Sequence, residues 1–292
     1  MFAQFFANYL LKEKYIEKRE LIECLKKMKS SRVKLGVLAI DAGYLTAAQV
    51  EEVHAKQMVI DMRIGDIAVD LGYLIPGQVE ELLSIQPPRY LSLCQALVDK
   101  EYINNTVLEE ALNRFKKEFD ITEQDFNDIH GNSIDRVIRQ FYNLDGGDEA
   151  SHCVTYIKLL MNNLIRFVGD DFIPAGTDCR FVDDEIIRVT QLIKGEFAGL
   201  SEIVTDEISL LQFVSRYAGE DIPVWDEYSQ AAAGDFLNLH NGLFLVNMSN
   251  LSNIELKLEA PEIIYREKPE ENPKICVPVM YPFGVLNFIL EN

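Results

Sequence analysis

The sequence predicts a multi-domain chain: an all-α helical-repeat module followed by an α+β domain, an antiparallel sheet with helices on one face. Three observations predict it. A short aromatic phrase recurs four times in the first third at a 29-residue period. After residue 149, paired apolar runs separated by turn residues alternate with amphipathic stretches. Charge divides the chain at a similar place. Of 28 basic and 47 acidic residues, 16 and 17 fall in residues 1–119, which leaves 12 and 30 for residues 120–292. At 292 residues the chain is long enough for two domains. The expected division is a repeat module at 1–119, an acidic connector and hinge at 120–148, and a second domain at 149–292.

The repeat comes first because it decides the fold of everything before residue 119. The phrases are Lys14-Tyr15-Ile16, Gly43-Tyr44-Leu45, Gly72-Tyr73-Leu74 and Glu101-Tyr102-Ile103. Seven residues beyond the start of each stand Leu21, Val50, Val79 and Leu108; four further on are Leu25, His54, Leu83 and Leu112. Eight residues before each start are Phe6, Leu35, Ile64 and Leu93. Apolar residues at three- and four-residue steps on either side of a break mean two short helices per repeat. Thr46 with Gln49 forms a capping box, Pro76 fits a first turn, and Asn104 and Asn105 cap the last helix. Each unit is too short to bury its own apolar face, so the four are expected to stack as one helical array with the tyrosines under the turns. The apolar N-terminus, Met1 to Leu11, has its basic residues after the apolar run and no small-residue cleavage site, so it reads as a core-facing helix rather than a signal peptide.

The two middle repeats carry more than packing requires. Residues 34–57 contain Lys34, Leu35, Gly36, Gly43, His54 and Gln57; residues 63–86 contain Arg63, Ile64, Gly65, Gly72, Leu83 and Gln86 in the same register. A five-residue spacer, Met58 to Met62, separates them. Packing demands the apolar positions but neither the base nor the terminal glutamine. This pair resembles the tandem motif of MshEN domains, the N-terminal modules of type II secretion and type IV pilus ATPases. The resemblance implies that these twelve residues bury cyclic di-GMP, with glycines admitting the ligand to the backbone and bases meeting its phosphates. Lys34 stands where the family has Arg, and His54 where it has Leu.

Ser133 to Tyr142 reads as an amphipathic helix in the connector, and Asn143 to Glu149 as a polar, glycine-bearing hinge. Beyond it the expected order is a helix at 149–168, strands at 186–193 and 200–204 around Lys194-Gly195, and a helix at 206–217. A helix at 226–241 follows, then strands at 243–248 and 254–258 around Ser249-Asn250. A last pair at 275–280 and 285–290 turns at Pro282-Phe-Gly284.

The helix at 226–241 is the most informative segment. Its expected buried stripe is Tyr228, Ala232, Phe236, Leu239 and Leu243. A second face carries Ala231, Gly234, Asp235, Asn238 and Gly242, with Asp235 and Asn238 three apart and projecting together. The small residues leave a low surface on which another protein can sit, and Gly234 in a helix, costing roughly 1 kcal/mol against alanine, points to such a close approach. Asp235-x2-Asn238 is followed by 22 residues and Pro261, with Asp-Phe-Leu-Asn-Leu-His-Asn-Gly-Leu-Phe244 and Val246-Asn-Met-Ser249 around it. This resembles the CheX/CheC/FliY family of chemotaxis phosphatases, whose signature is Glu-x2-Asn-x22-Pro, over about residues 149–292. The resemblance implies that Asn238 orients water for attack on the aspartyl phosphate of a CheY-like receiver domain, and that Asp235 pairs with the receiver's lysine. Asp235 is one methylene shorter than the family's glutamate. Only one copy of the signature is present, since the earlier helix has Asn162-Asn163 without it, which is a CheX-like pattern.

Other classes are excluded or left without support. A chain whose second half is this acidic is a poor partner for duplex nucleic acid, and no run approaches the roughly 18 apolar residues of a membrane helix. Four scattered histidines offer no metal-ligand spacing, so no metal site is expected, and magnesium would belong to the receiver. Five scattered cysteines read as buried thiols of a cytoplasmic protein. The expected function is a two-domain phosphatase of a CheY-like response regulator, regulated by cyclic di-GMP, with a homodimer as a candidate assembly. The alternative is a non-enzymatic cyclic di-GMP sensor or adaptor whose second domain only docks partners.

Overall fold

The computed structural model describes residues 1–27, 32–84, 86–122, 132–177, 186–269 and 273–291. Part of the expected connector, 123–131, lies outside the described residues. Two compact units divide between Ser133 and Ile134.

The unit spanning residues 2–133 is helical: α1 (Phe2–Lys12), α2 (Lys18–Lys27), α3 (Leu35–Asp41), α4 (Ala47–Gln57), α5 (Ile64–Asp70), α6 (Pro76–Ser84), α7 (Arg89–Asp99) and α8 (Asn105–Glu118). Two helices per repeat follow the sequence period. The Thr46–Gln49 capping box forms, Pro76 opens α6, and Asn104 accepts from the Val107 amide at 2.9 Å. The break between the helices of each repeat is a left-handed residue at the same register position: Lys14 (φ 61°), Gly43 (φ 68°), Gly72 (φ 74°) and Glu101 (φ 58°). Glycine takes this conformation freely, whereas a side chain there costs roughly 1–2 kcal/mol.

The tyrosines differ from expectation. They are half-buried, and the residue after each, Ile16, Leu45, Leu74 or Ile103, enters the core instead. The Tyr44 hydroxyl donates to Glu81 (2.9 Å), that of Tyr73 to Glu52 (2.5 Å) and that of Tyr102 to Glu23 (2.8 Å). The three glutamates share the 29-residue spacing, so repeats two and three exchange the bond reciprocally and repeat four reaches back to repeat one. Helices α1 and α2 pack on α7, while α3 packs on α6 and α4 on α5. An open array, in which each repeat meets only its sequence neighbours, does not form, because the first repeat closes onto the fourth.

The unit spanning residues 134–292 holds all but the first two residues of α9 (Asn132–Phe141), then α10 (Gly147–Phe167), β1 (Ile173–Pro174), β2 (Ile187–Gly195), β3 (Gly199–Thr205), α11 (Glu207–Ala218), α12 (Glu227–Ser252), β4 (Leu256–Leu258), β5 (Glu262–Tyr265), β6 (Ile275–Tyr281) and β7 (Gly284–Leu290). The turn expected as an interdomain hinge joins α9 to α10 inside this unit, where Lys158 pairs with Asp135 (2.7 Å) and Arg139 donates to Ser151 (2.8 Å). Among the described residues, seven antiparallel strands form one sheet in the order β1-β6-β7-β3-β2-β4, with β5 also on β2. Residues Gln191, Ser201 and Leu290 stand side by side across β2, β3 and β7, as do Val189, Ile203 and Phe288. That face meets α11 and α12, with Phe213, Phe236 and Phe288 in mutual ring contact beneath them.

Helix α12 overturns two expectations. The run 243–248, expected as a strand, continues the helix to Ser252, where Asn253 caps it in the left-handed conformation (φ 55°). The buried stripe is Ser229, Ala233, Phe236, Leu237, His240, Asn241, Phe244 and Met248, while Tyr228 and Leu243 are exposed. The cause is that this helix turns polar residues inward, so the apolar pattern reads the wrong phase. Cys24, Cys94 and Cys153 are buried free thiols, whereas Cys276 is disulfide-bonded, which corrects the reading of five reduced thiols.

Candidate functional site

A groove of about 450 Å³ runs along α12, lined by Gln230, Ala231, Gly234, Asp235, Asn238, Pro261 and Ile263. Its geometry starts at β2. Strand β4 pairs with β2 at residues 193–195 and β5 pairs with it at 187–190, so both occupy the same edge. Glu259, Ala260 and Pro261 bridge the gap between them. Pro261 has no amide hydrogen to offer a ladder and so fits where pairing lapses. It packs onto Gly234, where an added Cβ would stand 3.2 Å from the proline Cβ. The close approach that Gly234 allows is therefore made by this chain's own loop, not by a partner, and it ties the signature's proline to its helix.

Asp235 and Asn238 project into this groove, both exposed. Asp235 Oδ2 accepts from the Tyr217 hydroxyl of α11 (2.7 Å). Burial, reinforced by the hydrogen bond and charge of Asp235, holds that phenol well above its ordinary pKa, so Tyr217 remains a donor. Oδ1 of Asp235 has no partner among the described residues. Asn238 Oδ1 accepts from Gln191 Nε2 (2.8 Å), and its own amide nitrogen has no partner among the described residues.

Beneath Asn238 a buried polar chain continues. Gln191 Nε2 also donates to the Glu259 carbonyl (2.8 Å), and its Oε1 accepts from Asn241 Nδ2 (2.8 Å). Asn241 Oδ1 accepts from Ser201 Oγ (3.0 Å), which lies 2.7 Å from the Tyr156 hydroxyl. His240, next to this chain, is fully buried, accepts from Asn163 at Nδ1 (3.2 Å), and is pushed down to about 3 by burial, so it stays neutral. Sequence reading found Asp235, Asn238 and Pro261 but missed Gln191, Asn241, Ser201 and Tyr217. The available signal was a glutamine at an inward position of a strand and an asparagine three residues after Asn238.

The tandem motif of the helical unit is arranged differently. The two motif starts meet, since Leu35 lies 3.4 Å from a Cβ built on Gly65. A Cβ on Gly36 would meet Val50 Cγ1 at 2.9 Å, and one on Gly65 would meet Val79 Cγ1 at 2.8 Å, so both glycines are required by packing within their own repeats. Gly43 and Gly72 are the left-handed helix stops described above. Lys34 caps α3 and pairs with Asp99 (2.6 Å), and Gln57 donates to the Met62 carbonyl (3.1 Å). Arg63 and Gln86 are exposed and have no partner among the described residues; His54 and Ile64 are half-buried and Leu83 is 67% exposed. Met58 and Val59 of the spacer are 87% and 86% exposed.

Among the described residues, no group of three or more His, Cys, Asp or Glu is placed to hold a metal ion, and no helix is long and apolar enough to cross a membrane. No protein-family model matches the chain, and no curated protein sequence matches it. Solved structures similar to about half of the chain include chemotaxis proteins of the CheX, CheC and FliY type. They include chemotaxis protein CheX from Vibrio vulnificus (17% identity, TM-score 0.40, covering 48% of this chain and 97% of that one). A chain of the CheX–CheY–BeF3–Mg2+ complex from Borrelia burgdorferi matches at 15% identity and TM-score 0.40, covering 48% and 98%. FliY from Thermotoga maritima matches at 14% identity and TM-score 0.36, covering 47% and 84%.

Proposed function

We propose that the unit 134–292 hydrolyses the aspartyl phosphate of a CheY-like receiver domain. The observation that carries this reading is the state of the Asn238 side chain. Its oxygen is engaged by Gln191 while its NH2 group stays free in an open groove, one helical turn from a free carboxylate oxygen of Asp235. A neutral amide so placed donates to a water and holds it for in-line attack on phosphorus. The bond from phosphorus to the receiver's aspartyl oxygen then breaks, giving inorganic phosphate and a free carboxylate. The work is positioning and needs no titrating group, which fits a site without His, Lys or Cys among its lining residues. Asp235 meets the receiver's lysine through Oδ1. Tyr217 clamps Oδ2, so the shorter acid presents one fixed oxygen in place of the longer reach of glutamate. Magnesium is held by the receiver, and the short side chain of the exposed Ala231 keeps the helix surface low for docking.

The test is release of inorganic phosphate from a phosphorylated receiver with and without the wild-type chain, and with Asn238→Ala. Acceleration by the wild type that is lost in Asn238→Ala supports the reading. Absence of acceleration overturns it and favours the adaptor alternative, in which the groove docks a receiver without turnover.

A second reading concerns the helical unit, as a sensor of cyclic di-GMP. It is favoured by Arg63, an exposed cation with no partner among the described residues, in a unit that also exposes the apolar side chains of Met58, Val59 and Leu83. Calorimetry with the dinucleotide tests it: heat of binding for the wild type, absent in Arg63→Ala, supports a ligand site. No heat for the wild type at millimolar ligand leaves the repeats structural.

A further inference from the structure

The phosphatase reading names Asp235 and Asn238, but an asparagine at the surface of a helix has no reason of its own to keep one rotamer. What holds it lies under the helix. Gln191 is 1% exposed, sits in the middle of β2, and uses every polar atom of its side chain. The Glu259 carbonyl decides which end of its amide is which, because a carbonyl oxygen can only accept, so the Gln191 nitrogen must face it. That same nitrogen then reaches Asn238, so the Asn238 atom facing it must be the oxygen. The remaining Gln191 oxygen takes the Asn241 amide hydrogen, whose oxygen takes the Ser201 hydroxyl hydrogen, which leaves Tyr156 to donate to Ser201. Ser201 and Asn241 are wholly buried and Tyr156 is 1% exposed, so no water competes for these groups. The direction of each bond in the chain is fixed by the one before it, starting from a single backbone carbonyl.

We propose that Gln191 is the positioning residue of this site: its side-chain amide sets the rotamer and the flip of Asn238, directing the asparagine NH2 into the groove, and Asn241, Ser201 and Tyr156 keep Gln191 itself in register. Pro261 contributes from the other side. Packed on Gly234, it fixes the loop that carries the Glu259 carbonyl. The proline of the signature thus reaches the asparagine through Glu259 and Gln191. The inference rests on the phosphatase reading for its consequence, but its geometry is measurable apart from it.

Two variants of the full-length chain test it, Gln191→Glu, which keeps shape and places an oxygen against Asn238 Oδ1, and Gln191→Leu, which removes the contact. The first readout needs no activity: the side-chain amide resonances of asparagine-labelled protein. The Asn238 NH2 pair is expected as one resolved, ordered pair in the wild type and as a shifted or averaged pair in both variants, with that of Asn163 unmoved. An unchanged Asn238 pair in both folded variants overturns the proposal. The second readout is the kinetic split with a phosphorylated receiver. Both variants are expected to lower kcat by about 10- to 100-fold with KM for the receiver held within about twofold. In an Asn238→Ala background, Gln191→Leu is expected to change the residual rate by less than about twofold, since a residue acting through Asn238 has nothing left to position. A further loss in that background equal to the loss in the wild type marks a structural role and overturns the proposal. A wild type without phosphatase activity but with the amide pair moved by both variants leaves the positioning geometry standing and removes the phosphatase reading alone.

Discussion

The two regions marked by sequence motifs behave in opposite ways. In the helical unit, the conspicuous residues are largely consumed by the fold. Gly36 and Gly65 lie under Val50 and Val79, Lys34 is paired with Asp99, Gln57 closes the spacer, and Gly43 and Gly72 stop helices. In the α12 groove, packing does the reverse. Gly234 is consumed by Pro261, but the consequence is that Asp235 and Asn238 keep functional groups free while their other atoms are held. A motif residue is a site candidate only where packing leaves it an unengaged donor or acceptor, and that cannot be read from spacing.

The largest effect expected from breaking this contrast is at Asn238. Asn238→Ala is expected to lower phosphate release by about a hundredfold or more, and, because it removes one acceptor of the buried Gln191 amide, to cost about 1 kcal/mol of stability by thermal unfolding. The opposite pattern is expected at Gly65. Gly65→Ala places a methyl 2.8 Å from Val79 Cγ1 and is expected to cost about 2 kcal/mol of stability. Adding Val79→Ala should recover part of that loss, and the rescue is measured by denaturant unfolding. If Gly65→Ala left stability unchanged, the glycine would be reserved for a ligand rather than for packing.

A smaller effect comes from the sheet face opposite α12. There Arg188 donates to Glu202 (2.5 Å) and lies 3.7 Å from Glu291, so one cation serves two buried carboxyls. Burial pushes Glu202 up to about 7, with Arg188 opposing and Glu291 adding to the rise. The folded state therefore keeps this proton at a pH where the unfolded chain has released it. The contribution is fully present below about pH 4.5 and is lost as pH rises towards 7. Glu202→Gln should remove a pH-dependent cost on the order of 2 kcal/mol, seen as a flatter stability profile between pH 5 and pH 8 than that of the wild type.

Much of the fold was legible because its signals are local. The 29-residue period gave the helix pairs, and the turn at Pro282-Phe283 gave the hairpin of β6 with β7, whereas Lys194 and Gly195, expected as the turn between β2 and β3, end β2 in pairing with β4 and the chain turns at 196–198. Helix α12 was misread because Asn241 and His240 face inward, a choice that their partners on β2, β3 and α10 make favourable. For the same reason Gln191 passed unnoticed, its importance residing in four groups 47, 50, 68 and 10 residues away along the chain.

By itself the sequence determined the repeat period, most strands and helices, the charge division, and the spacing that marks Asp235, Asn238 and Pro261. Tertiary structure decided which side chains are left with a free donor or acceptor. The physical reason is that helix and turn signals depend on neighbours within a few residues, whereas the state of a polar group depends on which distant partner reaches it first. A buried amide must find those partners, and only the folded sheet brings Gln191 under Asn238.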